Sequence, residues 1–220
     1  MIAQQIFTDN KSADKLAQMG LSVDDFTYAI SRAIYESRRS SPLHPRTDAG
    51  SRGWSETVAA FRESVLSDAR GWNYTRSDGL EFTINSELGL SIIITSGDRD
   101  TGRIDGFPKT KNAKGSATEN LVNKNYTLEL FPNNDVTSID EHDSSIDPTK
   151  TYVLLYYFDN AEHEVRCELS LPGGMSGASG YNKINSWLER IILPSVPFSA
   201  AINLQDREFN EAIDIKVSRK

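Results

Sequence analysis

The sequence predicts an α+β protein, a largely antiparallel sheet with an N-terminal helical segment and a C-terminal helix packed on it. Three features lead there. Before residue 77, apolar side chains recur at helical spacing between capping signals. From residue 80 onward the chain carries short alternating or fully apolar runs of strand length. The densest of these, Tyr152 to Phe158, is apolar on both faces, the pattern of a strand covered on both sides. The chain reads as a helical segment, 1–76, and a sheet-bearing segment, 77–220, joined in one compact domain.

In chain order, Ser12 caps a short helix through Leu16 and Met19, and Gly20 ends it. Ser22 caps a second helix with Asp24 and Asp25 in its first turn, where the helix dipole favours carboxylates. Leu21 and Phe26 suit a hydrophobic staple, and Phe26, Ile30, Ala33 and Ile34 continue one apolar face. The pair could pass for a helix-turn-helix, but Asp24 and Asp25 would then face a polyanion, so sequence-specific DNA binding is not expected. The connector Ser41 to Gly53 contains HPRTDAGSR, which resembles the phosphate-holding loop of Fic-type AMP-transferring enzymes. It departs from that pattern at Arg46, Ala49 and Ser51, and no function is carried over. Ser55 caps a third helix through Val58, Phe61, Val65 and Ala69, closed by Gly71. Trp54 and Trp72 bracket it as sheet anchors, with a paired aromatic clamp for a base as the alternative.

A meander follows, Leu80 to Ile84 and Leu88 to Thr95, its second strand expected beside the Tyr152 strand. It empties into a long loop, Ser96 to Ser116, the best-placed site by position because unstructured loops of that length are uncommon in compact domains. Lys109, Lys111 and Lys114 lie in its second half, and Gly115-Ser116 opens a short helix with Glu119 completing a capping box. Lysines beside a helix start are one way to hold an anion, so these five residues are the candidate ligand-binding set. No metal is expected. Asp98-x-Asp100-x-Gly102 is the nearest approach to one, with Asp98 and Asp100 as candidate ligands, but it lacks the further oxygen donors of a calcium loop.

Tyr126 to Phe131 reads as a strand, and residues 133–147 as an acidic excursion with no Lys or Arg. The strand after Tyr152 to Phe158 alternates Val165, Cys167, Leu169 and Leu171 against Glu164, Arg166, Glu168 and Ser170. That polar face supplies the candidate catalytic pair, Glu168 and Arg166, against the simpler reading of cross-strand pairing. Cys167 is expected buried and inert. Gly173 to Gly180 reads as a flexible connection into an amphipathic helix, Asn182 to Leu193, with Ile184, Trp187, Leu188, Ile191 and Ile192 on one face and Pro194 as its stop. Gly174 to Ala178 approximates a nucleophile elbow, but no histidine follows it. Ile213, Ile215 and Val217 alternate as a last strand, and Asp214-Ile215-Lys216 matches half of a PD-(D/E)xK nuclease signature, for which Glu168 could supply a carboxylate.

With 38% hydrophobic and 25% charged residues the chain has the balance of a soluble globular protein. No apolar run approaches the about 18 residues that span a bilayer. One cysteine and no secretory signal point to the cytoplasm. The three histidines are dispersed and make no zinc pattern. Charge is uneven: ten Lys/Arg against nine Asp/Glu in residues 1–76, fourteen against twenty-two in 77–220. All eight basic residues from Arg32 to Arg76 are arginines, read as solvated helix charges.

The blocks WSETVAAFRESVL with GW after it, TSGDRDTG, PKTKNAKGSATEN, ELSLP and WLERIILP together resemble a family of bacterial proteins of uncharacterised activity, associated with phages and other mobile elements. The resemblance implies a defence- or mobile-element-related role and assigns no catalytic residue. Two functions are therefore expected. One is an accessory protein that binds a protein partner or self-assembles, with no cofactor and no membrane. The alternative is a phosphate- or nucleotide-handling enzyme, nuclease-like, using the 97–116 loop.

Overall fold

The structure, a computed structural model, describes residues 4–66, 70–130, 150–177 and 182–202. Among these residues the chain forms β1 (Gln5–Phe7), α1 (Asp9–Gln18), α2 (Val23–Ser37), α3 (Asp48–Leu66), β2 (Trp72–Ser77), β3 (Leu80–Asn85), β4 (Leu90–Ser96), α4 (Ser116–Leu130), β5 (Lys150–Asp159), β6 (Glu164–Ser176), β7 (Lys183–Ile192) and β8 (Val196–Pro197). The fold is α+β. One mixed, mostly antiparallel sheet runs β1-β7-β6-β5-β4-β3-β2, with β8 on β6. Among the described strands only β4–β5 and β1–β7 pair in parallel.

Helices cover both faces, as the two-sided apolar pattern of β5 demands. On one face Tyr152, Leu154 and Tyr156 join Ile92, Ile94 and the apolar sides of α1, α2 and α3. On the other, Val153 and Leu155 pack with Ile93, Phe82, Trp187 and Val122 of α4. The predicted stripe of α2, Phe26, Ile30, Ala33 and Ile34, is buried, and Ala29 is buried with it. The Phe26 and Phe61 rings stack at 5.2 Å between α2 and α3. Ser22 and Asp25 make a reciprocal capping box at the start of α2. Burial opposes ionisation of Asp25, but hydrogen bonds from Arg70, Ser64 and Ser22 together hold its carboxyl below the ordinary value.

Several expectations change. The helix expected over Asn182 to Leu193 is strand β7, hydrogen-bonded to β6 along most of its length. The reason lies in the register. Between Leu171↔Glu189 and Met175↔Ile184 the ladder slips three times, leaving Leu188 and Asn185 as extra residues on β7 and Gly173 on β6. The two extra residues on β7 break its two-residue alternation, so its buried apolar positions fall at Ile184, Trp187, Leu188 and Ile191 and imitate a helical stripe. Gly173 is part of the device: a Cβ there would lie 2.6 Å from Leu188 Cγ. The expected Gly-rich connection is correspondingly strand as far as Ser176.

The strand expected from Tyr126 is the last part of α4, which runs to Leu130 rather than ending as a short helix. Asn125 explains the length. Its side-chain amide donates to Thr151 O (2.8 Å) and accepts from Thr151 N (3.0 Å), tying the helix to β5. Helix α3 starts at Asp48, inside the expected connector, where Arg52 Nε meets Asp48 Oδ2 at 2.7 Å one turn away. Helix α1 starts at Asp9, and Ser12 is no cap; its hydroxyl donates to Ile192 O (2.8 Å). Strands β1 and β8 are too short to have been legible, and β2, as long as β3, is mostly exposed and carries no sustained apolar alternation. The acidic stretch 133–147 and the expected strand over 213–217, with its Asp214 and Lys216, lie outside the described residues.

If Gly173 is the receptor for the Leu188 bulge, Gly173→Ala should cost about 1–3 kcal/mol of stability by overpacking, measured by urea denaturation. Adding Leu188→Ala should recover part of that loss. A neutral Gly173→Ala would contradict the register described for β6 and β7.

Candidate functional site

The loop after β4 is folded by a buried ion pair. Glu168 on β6 and Arg190 on β7 are each 0% exposed. Arg190 Nη2 donates to Glu168 Oε2 at 2.6 Å and its Nε to Oε1 at 3.0 Å. Ser170 Oγ adds a 2.7 Å bond to Oε1. The loop supplies the remaining partners: Gly102 N donates to Glu168 Oε2 (2.8 Å), while Arg190 donates to Gly106 O (2.8 Å) and Arg103 O (2.9 Å). Gly102 has φ +73°, and a Cβ there would stand 2.9 Å from Arg166 Cβ, so only glycine permits this approach to β6. Arg166 lies beside the same loop, donating to Arg99 O (2.7 Å), pairing with Asp159 (3.1 Å) and stacking over Tyr157. Glu168 and Arg166 thus share a sheet face as expected, and each makes a hydrogen bond that fixes the 97–110 segment, to Gly102 N and Arg99 O respectively.

The second half of the loop borders an opening in the sheet. β3 and β4 pair only from Asn85↔Leu90 to Thr83↔Ile92, then part. Two side chains of α3 meet the backbone carbonyls this exposes: Trp54 Nε1 donates to Ile94 O (3.0 Å) and Arg62 to Phe82 O (3.1 Å). Beside them is a cavity of about 760 Å³ at the carboxyl ends of the parallel strands β4 and β5. Arg46, Thr47 and Trp54 line one side of it, Lys111, Lys114 and Thr118 another, and Tyr156 and Tyr157 contribute from β5.

Lys114 is the central group. Its amide donates to Asn182 O (2.8 Å), its Nζ donates to Thr95 Oγ1 (2.6 Å), and it makes no ion pair with a carboxylate among the described residues. Burial lowers its pKa. Glu81, the acidic side chain lining the cavity, is bound by Arg62 (2.9 Å) and Arg76 (3.0 Å). Arg46, Lys111 and Lys114 therefore give the cleft a net positive character.

The five candidate ligand-binding residues divide. Lys111 and Lys114 line the cleft, whereas Lys109, Gly115 and Ser116 are exposed and do not. Sequence reasoning missed Arg46 as a cleft residue, because a connector arginine carries no signal of what it will face. The two bracketing tryptophans also separate: Trp54 is 40% exposed at the cleft, and Trp72 is 6% exposed in the core. Asp98 Oδ1 accepts from the Asp100 amide (3.2 Å), and Asp100 lies 4.0 Å from Arg99. Among the described residues no group of three or more His, Cys, Asp or Glu side chains is placed to hold a metal. Cys167 is 1% exposed, and burial, with a smaller contribution from Glu168, pushes its thiol up to about 12. No helix among the described residues is long and apolar enough to cross a membrane.

Comparisons with protein-family models, curated proteins and solved structures find no match to this chain. The functional reading rests on the geometry.

Removing one partner of the buried pair leaves a charge without its counter-ion. Glu168→Ala should lower stability by about 3–5 kcal/mol and open the 97–110 segment to limited proteolysis. Equal stability and unchanged cleavage would mean that the loop is held by something other than this pair.

Proposed function

We propose that the chain binds a phosphorylated small molecule of nucleotide type in the cleft where β3 and β4 part. The observation that carries this reading is Lys114, held in a concave site by a hydroxyl and without a carboxylate partner among the described residues. Arg46 and Lys111 add positive charge, and the Trp54 ring adds a flat apolar surface suited to stacking. The volume suits a drug-sized ligand. The position also fits: ligands of open sheets commonly sit beyond the carboxyl ends of parallel strands. Bound phosphate would supply a counter-charge to Arg46 and Lys111 at the margin of the cleft.

The exposed side chains of the clamped loop support a second reading, association with a protein partner or self-assembly. Ile104 and Phe107 are 61% and 77% exposed on a segment whose backbone is fixed by Arg190.

A thermal-shift series with ADP, ATP and pyrophosphate tests the first reading. Saturating ligand at about 100 times Kd should stabilise the protein by about 2.7 kcal/mol, and loss of the Lys114 contact should weaken binding by about 1.5–3 kcal/mol in Lys114→Ala. The absence of any shift, or a shift unchanged in Arg46→Ala/Lys114→Ala, would overturn it. For the second reading, light scattering of Phe107→Asp should show a smaller particle than the parent; the same mass for both, with a monomeric parent, would remove self-assembly.

A further inference from the structure

Lys114 differs from the other lysines of its loop in ways that bear on reactivity as well as binding. Lys109 and Lys111 are exposed, whereas Lys114 is half-buried, its Nζ bonded to Thr95 Oγ1 at 2.6 Å. Thr95 itself is only 9% exposed, so the hydroxyl that holds the amine is fixed by the sheet. The amine lines a cavity of about 760 Å³ that also carries Arg46 and Lys111. An amine with no carboxylate partner among the described residues, in a cavity that two further cations line, suits a nucleophile better than a structural ion.

We infer that Lys114 is an imine-forming residue, whose Nζ condenses with the aldehyde of a phosphorylated carbonyl compound held in the cleft by Arg46 and Lys111. The inference deepens the proposed anion site and rests on it. In the condensation, uncharged Nζ adds its lone pair to the carbonyl carbon. A C–N bond forms, the carbonyl π pair moves to oxygen, and a proton passes from the nitrogen to that oxygen. The carbinolamine then loses its hydroxyl as water and its N–H proton to solvent. Amine and aldehyde thus give imine and water with no change of oxidation state. Burial favours the reacting form: every unit by which it lowers the Lys114 pKa raises the uncharged fraction at neutral pH about tenfold. The phenol of Tyr156, also lining the cavity, stays protonated because burial raises its pKa, so it brings no negative charge that would hold Lys114 as ammonium.

The test uses two probes that differ only in the carbonyl. The full-length protein is incubated with pyridoxal 5′-phosphate, reduced with borohydride, and its modified lysines are mapped by peptide mass spectrometry. Pyridoxine 5′-phosphate, which lacks the aldehyde, serves as binding probe and competitor. The expected result is one dominant adduct on Lys114, suppressed by the competitor, with Lys109 and Lys111 labelled at least tenfold less. Lys114→Arg and, independently, Lys114→Met should each lose the adduct with no compensating label on Lys109 or Lys111; a dominant adduct that persists in either folded variant would place the reactive amine elsewhere and overturn the inference. If pyridoxine 5′-phosphate stabilises the protein but Lys114 is unmodified, the inference fails while the anion site stands. If neither phosphate binds, or labelling spreads over exposed lysines without competition, both fail.

Discussion

The rest of the structure depends on two charges that never meet water. Taking Glu168 and Arg190 out of solvent costs several kcal/mol for each ion, and mutual attraction offsets this only when every remaining donor and acceptor is also satisfied. Ser170 meets part of that requirement from the same strand. The rest comes from the backbone of a loop more than sixty residues earlier in the chain, through Gly102, Arg103 and Gly106. Pair and loop are therefore mutually necessary. The pair would be a liability on a bare sheet, and the loop has little apolar content of its own to hold it down.

That clamp has a consequence at the other end of the loop. With residues 97–106 held to β6 and β7, the chain returns along the sheet: Thr110 N donates to Ile184 O (3.0 Å), Lys111 N to Ser96 O (2.9 Å) and Lys114 N to Asn182 O (2.8 Å). These bonds deliver Lys111 and Lys114 to the margin of the cleft. The opposite wall is delivered by α3, whose Trp54 and Arg62 stand about two turns apart and each satisfy a carbonyl freed by the parting of β3 and β4. The cleft is thus the place where a ladder stops and side chains substitute for it.

The helical side obeys the same logic with arginine. Arg32 meets Glu56 (2.6 Å) and Glu63 (2.9 Å) across α2 and α3, Arg62 meets Glu81, and Arg70 meets Asp25. Arg32 is only 4% exposed and Asp25 only 3%. Arg32, Arg62 and Arg70, buried or partly buried, thus use the planar guanidinium for pairing with carboxylates, whereas Arg38, Arg39, Arg46 and Arg76 are exposed as a solvated face would have them. Asp25 turned inward to Arg70 also explains a helix start that carries two carboxylates.

What the sequence by itself determined is whatever a regular period or a local cap can encode. The α+β class, the apolar stripe of α2, the two-sided burial of β5, the adjacency of β4 and β5 and the irregular stretch between β4 and α4 were all legible, because each writes its burial pattern over neighbouring residues. The tertiary structure decided the rest. β7 read as a helix because its bulges, which exist only against Gly173 on β6, shift the alternation into helical spacing. The end of α4 read as a strand because what holds it helical is Asn125 bonded to the backbone of β5. The cleft had no local signature, since it arises where two strands fail to pair. Lys111 and Lys114 could be named from the loop, but Arg46 and Trp54 join them only through the placement of α3. The partners of Glu168 were hidden for the same reason: its role is set by bonds to residues distant in sequence, and no window of sequence contains both ends.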